Sequence, residues 1–193
     1  KITRDQNQYL RFFNVIDYDN SKNYRFISSD NKGNVYITDK FGKQLEGWNP
    51  LRLDFELAAK PRHTRILEKD IIILLTGDGK LYLKKRNSND YSGSPADLYN
   101  RVNTDYFVEL NKNFKNSVIH IMDDQGLLKE VNFEGKITTE TQFFRPDKET
   151  SFKLIPDALG KTFCIARKSN ENVRIFTALN KEITNRTISG NGI

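Results

Sequence analysis

The sequence predicts an all-β protein made of four repeated sheets, and three observations carry that prediction. A phrase of turn, β-rich run and second turn recurs from Gly33, Gly79, Gly126 and Glu171, at steps of 46, 47 and 45 residues. The second turn of each copy falls nine residues after its anchor, at Gly42, Ser88, Gly135 and Asn180, all types that suit tight turns. Between the turns apolar residues alternate, as in Val35 and Ile37, Leu81 and Leu83, and Val173 and Ile175, which marks a strand with one buried face. A repeat of this length with room for four strands predicts a β-propeller of four blades of about 46 residues, each with four antiparallel strands.

Strands follow from the phase of the repeat. A single propeller domain over 1–193 divides into blades of approximately 11–50, 63–98, 105–143 and 151–188. The first blade reads as strands over Arg11–Asp17, Tyr24–Ser29, Asn34–Asp39 and Gln44–Trp48. The second reads as His63–Leu67, Asp70–Thr76, Lys80–Lys85 and a weak strand after Gly93, which echoes Gly47 at fourteen residues from its anchor. The third reads as Asp105–Leu110, Ser117–Asp123, Leu127–Phe133 and Lys136–Phe143, and the fourth as Phe152–Ile155, Thr162–Arg167, Val173–Thr177 and Glu182–Ile188. Only Pro50–Ala59 has any helical character, and Pro61 stops it.

With 37% hydrophobic and 11% aromatic residues in 193, the chain can bury a core, and a mean hydropathy of −0.66 gives it a polar surface. Its longest apolar run, Ile71–Leu75, is far short of the roughly 20 residues that span a bilayer and reads as a buried interior strand. No signal peptide is evident, and the chain opens on Lys1, so it is expected to be a processed product, an excised domain or part of something larger. No closing strand is exchanged between its ends, so a segment of a larger propeller is expected ahead of a complete four-bladed ring. The net charge of +6 is diffuse, with 17 basic and 13 acidic residues in 1–100 and 14 and 12 in the remainder, which argues against nucleic acid as partner. Lys84-Lys85-Arg86, the densest basic run, reads as a solvated blade edge.

The stretch Gly33-Asn34-Val35-Tyr36-Ile37-Thr38-Asp39-Lys40-Phe41-Gly42-Lys43-Gln44-Leu45, followed by Trp48, resembles the quinoprotein-type propeller repeat. Asp17-Tyr18-Asp19-Asn20 is similar to the acidic turn of FG-GAP repeats. Together they resemble propeller regions of large envelope proteins of Gram-negative bacteria, over about 35 residues of the first unit and weakly beyond it. The sequence departs from the pattern where Glu46-Gly47 displaces Trp48 and where later units have no Trp. The resemblance implies either a dehydrogenase with a quinone and a calcium ion on its axis, or a noncatalytic scaffold that binds other proteins. It also implies the periplasm, the outer membrane or the cell surface as location.

Candidate sites are sparse. Oxygen side chains at alternating positions, Asp17, Asp19, Ser21 and Asn23, could wrap a calcium ion, but Lys22 stands where such a loop needs glycine, and an Asx turn is the simpler expectation. Asp123-Asp124-Gln125-Gly126 likewise reads as a hairpin turn. Two histidines and one cysteine fall short of a zinc site. His120 reads as a core or inter-blade histidine, and Cys164 as an inert packed thiol. Arg62, His63 and Arg65 could lie near a ligand surface, and Trp48, Tyr91, Tyr99 and Tyr106 would form a ligand face if clustered in the open. The expected function is therefore a noncatalytic scaffold, not an enzyme, without a cofactor and with calcium as a secondary candidate. Its expected partners are another protein and the remaining blades of a parent chain. The alternative is a glycan-binding or quinone- and calcium-binding propeller belonging to an enzyme.

Overall fold

The computed structural model describes residues 7–145, 150–170, 172–184 and 188–189; Glu171, the fourth repeat anchor, and residues 185–187 of the last expected strand lie outside the described residues. Among the described residues sixteen strands run in chain order: β1 Leu10–Ile16, β2 Arg25–Asp30, β3 Asn34–Asp39, β4 Leu51–Arg52, β5 Arg62–Ile66, β6 Lys69–Leu75, β7 Lys80–Lys84 and β8 Ala96–Asp97. They continue as β9 Tyr106–Glu109, β10 Val118–Met122, β11 Leu127–Asn132, β12 Ile137–Gln142, β13 Thr150–Pro156, β14 Phe163–Ser169, β15 Asn172–Thr177 and β16 Ile188–Ser189. Each consecutive four forms one antiparallel sheet in sequence order, the four-blade propeller arrangement. Two compact units divide the chain, 1–97 and 98–193.

One hydrogen-bonding device recurs at six of the repeat turns. Asp30 Oδ1 accepts from the backbone N–H of Lys32 and Asn34, at 2.8 and 3.0 Å. Asp39 Oδ1 does the same for Phe41 and Lys43, Asp123 Oδ1 for Gln125 and Leu127, and Asn132 Oδ1 for Glu134 and Lys136. Thr76 and Thr177 use their hydroxyls in the same place, accepting from Lys80 and Lys181. Three residues after each acceptor the backbone turns left-handed, with φ from 59° at Asn180 to 89° at Gly79. At six of the repeat turns the periodicity is thus a pair, an oxygen-bearing acceptor and a residue that tolerates positive φ; at Ser88 (φ 68°) Lys85 stands in the acceptor position and only the positive φ recurs. Burial works against the charge of Asp30, but hydrogen bonds from Asn34, Gln8 and Lys32 outweigh it and hold the carboxyl below its ordinary range.

The fourth strand of the first blade departs from expectation, whereas β8 is the short strand expected after Gly93 and β12 lies within the expected Lys136–Phe143. Gln44–Trp48 is not a strand: Gln44 makes one bridge to Thr38, and the chain then loops so that Leu45 N–H donates to Ile37 O while Trp48 O accepts from Ile37 N–H. Glu46-Gly47 is the extra length of that loop, and it drives Trp48 into the core; pairing resumes only at β4. The second blade repeats the pattern, with Tyr91 N–H on Leu83 O and Ser94 Oγ on Leu83 N–H, so a serine occupies the place of Trp48. In the fourth blade Glu182 makes a single bridge to Phe176 before β16. The possible helix at Pro50–Ala59 is extended chain, stapled at Leu57 to Thr76 and at Ala58 N–H to Leu75 O.

In the first unit Ile16, Ile27, Val35, Ile37, Trp48, Leu57, Ile72 and Leu74 form one core. In the second, Phe107, Met122, Phe152, Leu154, Phe163 and Ile165 do so. Strand β6 is buried along both faces, whereas β3 alternates, with Val35 and Ile37 fully enclosed and Tyr36 and Thr38 half-buried.

Two turn glycines separate conformational from steric cost. Gly42 (φ +82°) has open space where a methyl group would stand, whereas at Gly33 (φ +78°) a Cβ would sit 2.6 Å from Leu53 O. Gly42→Ala should therefore cost about 1 kcal/mol for the left-handed backbone alone. Gly33→Ala should cost at least twice that in urea denaturation, because the obstructing atom is backbone and cannot swing aside.

Candidate functional site

Four of the five sequence-selected binding residues converge in the first unit around two side chains the sequence did not single out. Strand alternation puts His63 and Arg65 on one face of β5 and Arg62 on the other, so Arg62 stands apart from the group. Opposite Arg65, Asp70 is the second residue of β6 and is almost fully buried. Its carboxylate accepts from His63 Nε2 at 2.8 Å on one oxygen and pairs with Arg86 Nη2 at 2.5 Å on the other, while its carbonyl accepts from the Tyr91 hydroxyl at 2.9 Å. Arg86 follows β7, lies 4.3 Å over the Tyr18 ring, and its carbonyl accepts from Trp48 Nε1 at 2.8 Å. Tyr18 meets His63 edge-on at 4.9 Å, and its carbonyl accepts from Arg65. The cluster thus ties together the turn after β1, strands β5 and β6, and both turns after β7.

Its chemistry is that of a clamp. An ionised carboxylate only accepts, so His63 carries a proton on Nε2, and both oxygens of Asp70 are engaged. Burial lowers the pKa of His63, overcoming the opposing pull of Asp70, and the charges of Arg86 and Arg65 act in the same direction as burial. Burial also pushes the Tyr18 phenol up to about 12, and its hydroxyl is enclosed without a hydrogen-bond partner. Arg65 and Arg86 remain partly open to solvent, so the clamp shows guanidinium groups outward.

The aromatic residues and Lys84 meet a different arrangement from the one expected. Trp48 and Tyr106 are completely buried, Tyr91 is half-buried in the clamp and Tyr99 is 79% exposed, so the four aromatics form no open face and Trp48 serves the core. Lys84 is not at a solvated edge: it is 6% exposed and paired with Asp90 at 2.9 Å. In the acidic turn, Asp17 accepts from the N–H of Ser21 and Lys22, Asp19 Oδ1 accepts from Ser21 Oγ at 2.6 Å, and Asn23 Oδ1 accepts from Arg25. That is an Asx-type turn with a guanidinium against one of its oxygens. Among the described residues no three His, Cys, Asp or Glu side chains gather as a metal set. His120 packs against Phe107 and the Phe163 ring of the next sheet, which also touch each other, with Nε2 3.3 Å from Glu109. Cys164 is a half-buried free thiol.

No family model matches the chain, and no curated protein matches it. Solved structures do. BBS1N, crystallised in complex with ARL6DN, superposes at TM-score 0.55 with 13% identity, over 96% of this chain and 55% of that one. BamB from Moraxella catarrhalis gives TM-score 0.53 with 9% identity, over 93% and 51%. The C-terminal WD40 domain of Sif2 gives 0.54 with 12%, over 95% and 47%. The chain spans about half the length of these structures, and at this identity the likeness establishes the fold, a β-propeller.

Two measurements test the clamp. Tyr18→Phe removes a buried, unpaired hydroxyl while keeping the ring under Arg86, so stability should stay level or rise by up to about 1 kcal/mol; a clear loss would mean the hydroxyl has a partner. Because the folded pKa of His63 lies below the ordinary 6.5, the unfolded chain takes up its proton first. Stability should therefore be full above about pH 7 and fall as the pH drops through 6.5, levelling off below the depressed folded value. His63→Gln should flatten that segment of the pH profile relative to the parent.

Proposed function

We propose that this chain is a noncatalytic propeller scaffold that docks another protein, within an assembly of the bacterial envelope or cell surface. The observation that carries the reading is the outer face of the first sheet. Cross-strand pairing sets Phe13 opposite Ser28 and Val15 opposite Phe26, and Ser28 opposite Tyr36, all on the face turned away from the core residues Ile16, Ile27, Val35 and Ile37. Phe13 is 50% and Val15 47% exposed, and Phe13 stacks on Phe26 at 5.7 Å. A contiguous apolar patch on a folded sheet is a binding surface for something equally apolar, and a flat one fits another protein better than a small ligand. The BBS1N structure, which holds ARL6DN, is an example of a propeller of this fold in a protein complex. The envelope placement is supported by the resemblance of the Gly33–Trp48 repeat to quinoprotein-type propellers and by the likeness to BamB.

A photo-crosslinking amino acid at position 13 or 26, introduced into the native protein in its host, should give a discrete protein adduct. The same group at exposed Leu159, on the β13–β14 turn, should not. Equal labelling from all three positions, or none from 13 and 26, would overturn the docking reading. Quinone-like absorbance at one equivalent per purified chain would replace it with the enzymatic alternative.

A further inference from the structure

We propose that the fourth sheet carries a binding site for a tetrahedral oxyanion, a phosphate or sulfate group, held between Arg167 and Arg174. This goes beyond the scaffold reading and stands independently of it. Arg167 on β14 and Arg174 on β15 are directly opposed in the antiparallel ladder, so two guanidinium side chains leave the same face of the sheet from adjacent positions. Like charges directly opposite one another destabilise a strand pair. Nothing among the described residues neutralises the pair fully: Arg174 Nε lies 3.9 Å from Glu182, and Arg167 makes no ion pair there.

What holds Arg167 is aromatic. Its guanidinium lies 5.4 Å over the Phe144 ring. Phe144 is in turn fixed by stacking on Phe152 at 5.3 Å and edge contact with Phe176 at 4.7 Å. A ring face engages the charge but accepts none of the in-plane N–H bonds, and Arg167 Nε is buried without an acceptor. The two arginines, with Ser169, Asn170 and Asn172, line a cavity of about 260 Å³. That is below the size of drug-sized ligand pockets and suits a single small anionic group. Hydroxyl and amide donors join two guanidinium groups around it, and donors arriving from several directions match a tetrahedral anion better than a planar carboxylate. A bound oxyanion would relieve the cross-strand repulsion.

The test is thermal unfolding of the chain with sodium phosphate, sulfate, acetate or chloride at matched ionic strength. Phosphate or sulfate should raise Tm along a saturable curve, and the arm that saturates at the lower concentration identifies the preferred group. Arg174→Gln should weaken that response at least about tenfold. In the absence of oxyanion the same variant should be as stable as the parent or more so, since it removes the opposed charge; this separates loss of binding from loss of fold. A second readout is the Arg167 Nε–H resonance, which should shift on titration with phosphate or sulfate in the parent and stay fixed in Arg174→Gln. The proposal is overturned if acetate and chloride act as strongly as the tetrahedral anions, if neither tetrahedral anion saturates, or if Arg174→Gln responds like the parent.

Discussion

The side-chain acceptor that sits three residues before a left-handed turn position, recurring at six of the repeat turns, is the interaction on which the rest depends. Asp30, Asp39, Asp123 and Asn132 each satisfy two backbone N–H groups that the turn would otherwise leave without partners, and Thr76 and Thr177 satisfy one. By fixing where the chain reverses, these bonds fix strand register. A slip of one residue would exchange the two faces of a strand, sending Val35 and Ile37 outward and Tyr36 inward, so the core of each unit rests on where its turns fall.

The same turn residues also set the polar architecture of the interior. Asp123 closes the β10–β11 hairpin with one oxygen and, with the other, accepts from Asn100 and pairs with the buried ammonium of Lys129 at 3.3 Å. Asp70 plays a comparable part in the first unit, where His63 and Arg86 divide its oxygens. Buried charges are costly unless paired and hydrogen-bonded, and these meet that condition within their own unit. Arg167 finds no such partner among the described residues, and its aromatic support in place of a carboxylate is what distinguishes the fourth sheet. An apolar sheet face on Phe13 and Val15 and a cationic pocket on Arg167 and Arg174 give the two units different surface chemistry on one repeated backbone.

Legibility in the sequence tracked how local each feature is. The first three strands of each blade could be read because alternation and turn chemistry are properties of a few adjacent residues, as Asn34–Asp39 and Leu127–Asn132 illustrate. The fourth strand of the third blade could be read too, as Ile137–Gln142, but that of the first could not, because Gln44–Trp48 has strand-like residues but uses its backbone on both polar groups of Ile37 across a loop. The candidate site was half visible. His63, Arg65 and Tyr91 carry recognisable chemistry, but Asp70 was hidden at the head of an apolar run and Arg86 within a basic one. Their partnership joins positions 16 residues apart in sequence across β6 and β7, and no local pattern announces it.

By itself the sequence determined the repeat, the turn positions and hence the all-β propeller, since each follows from side-chain acceptors, permissive backbone residues and period-2 burial within short segments. Tertiary structure decided which charges are buried, which aromatics are core and which stand free. Trp48 and Lys84 went inside, and Phe13 and the Arg167–Arg174 pair were left to meet solvent or a ligand. The physical reason is that burial belongs to faces brought together by packing, and a strand's own residues specify its two faces without specifying what will cover either one.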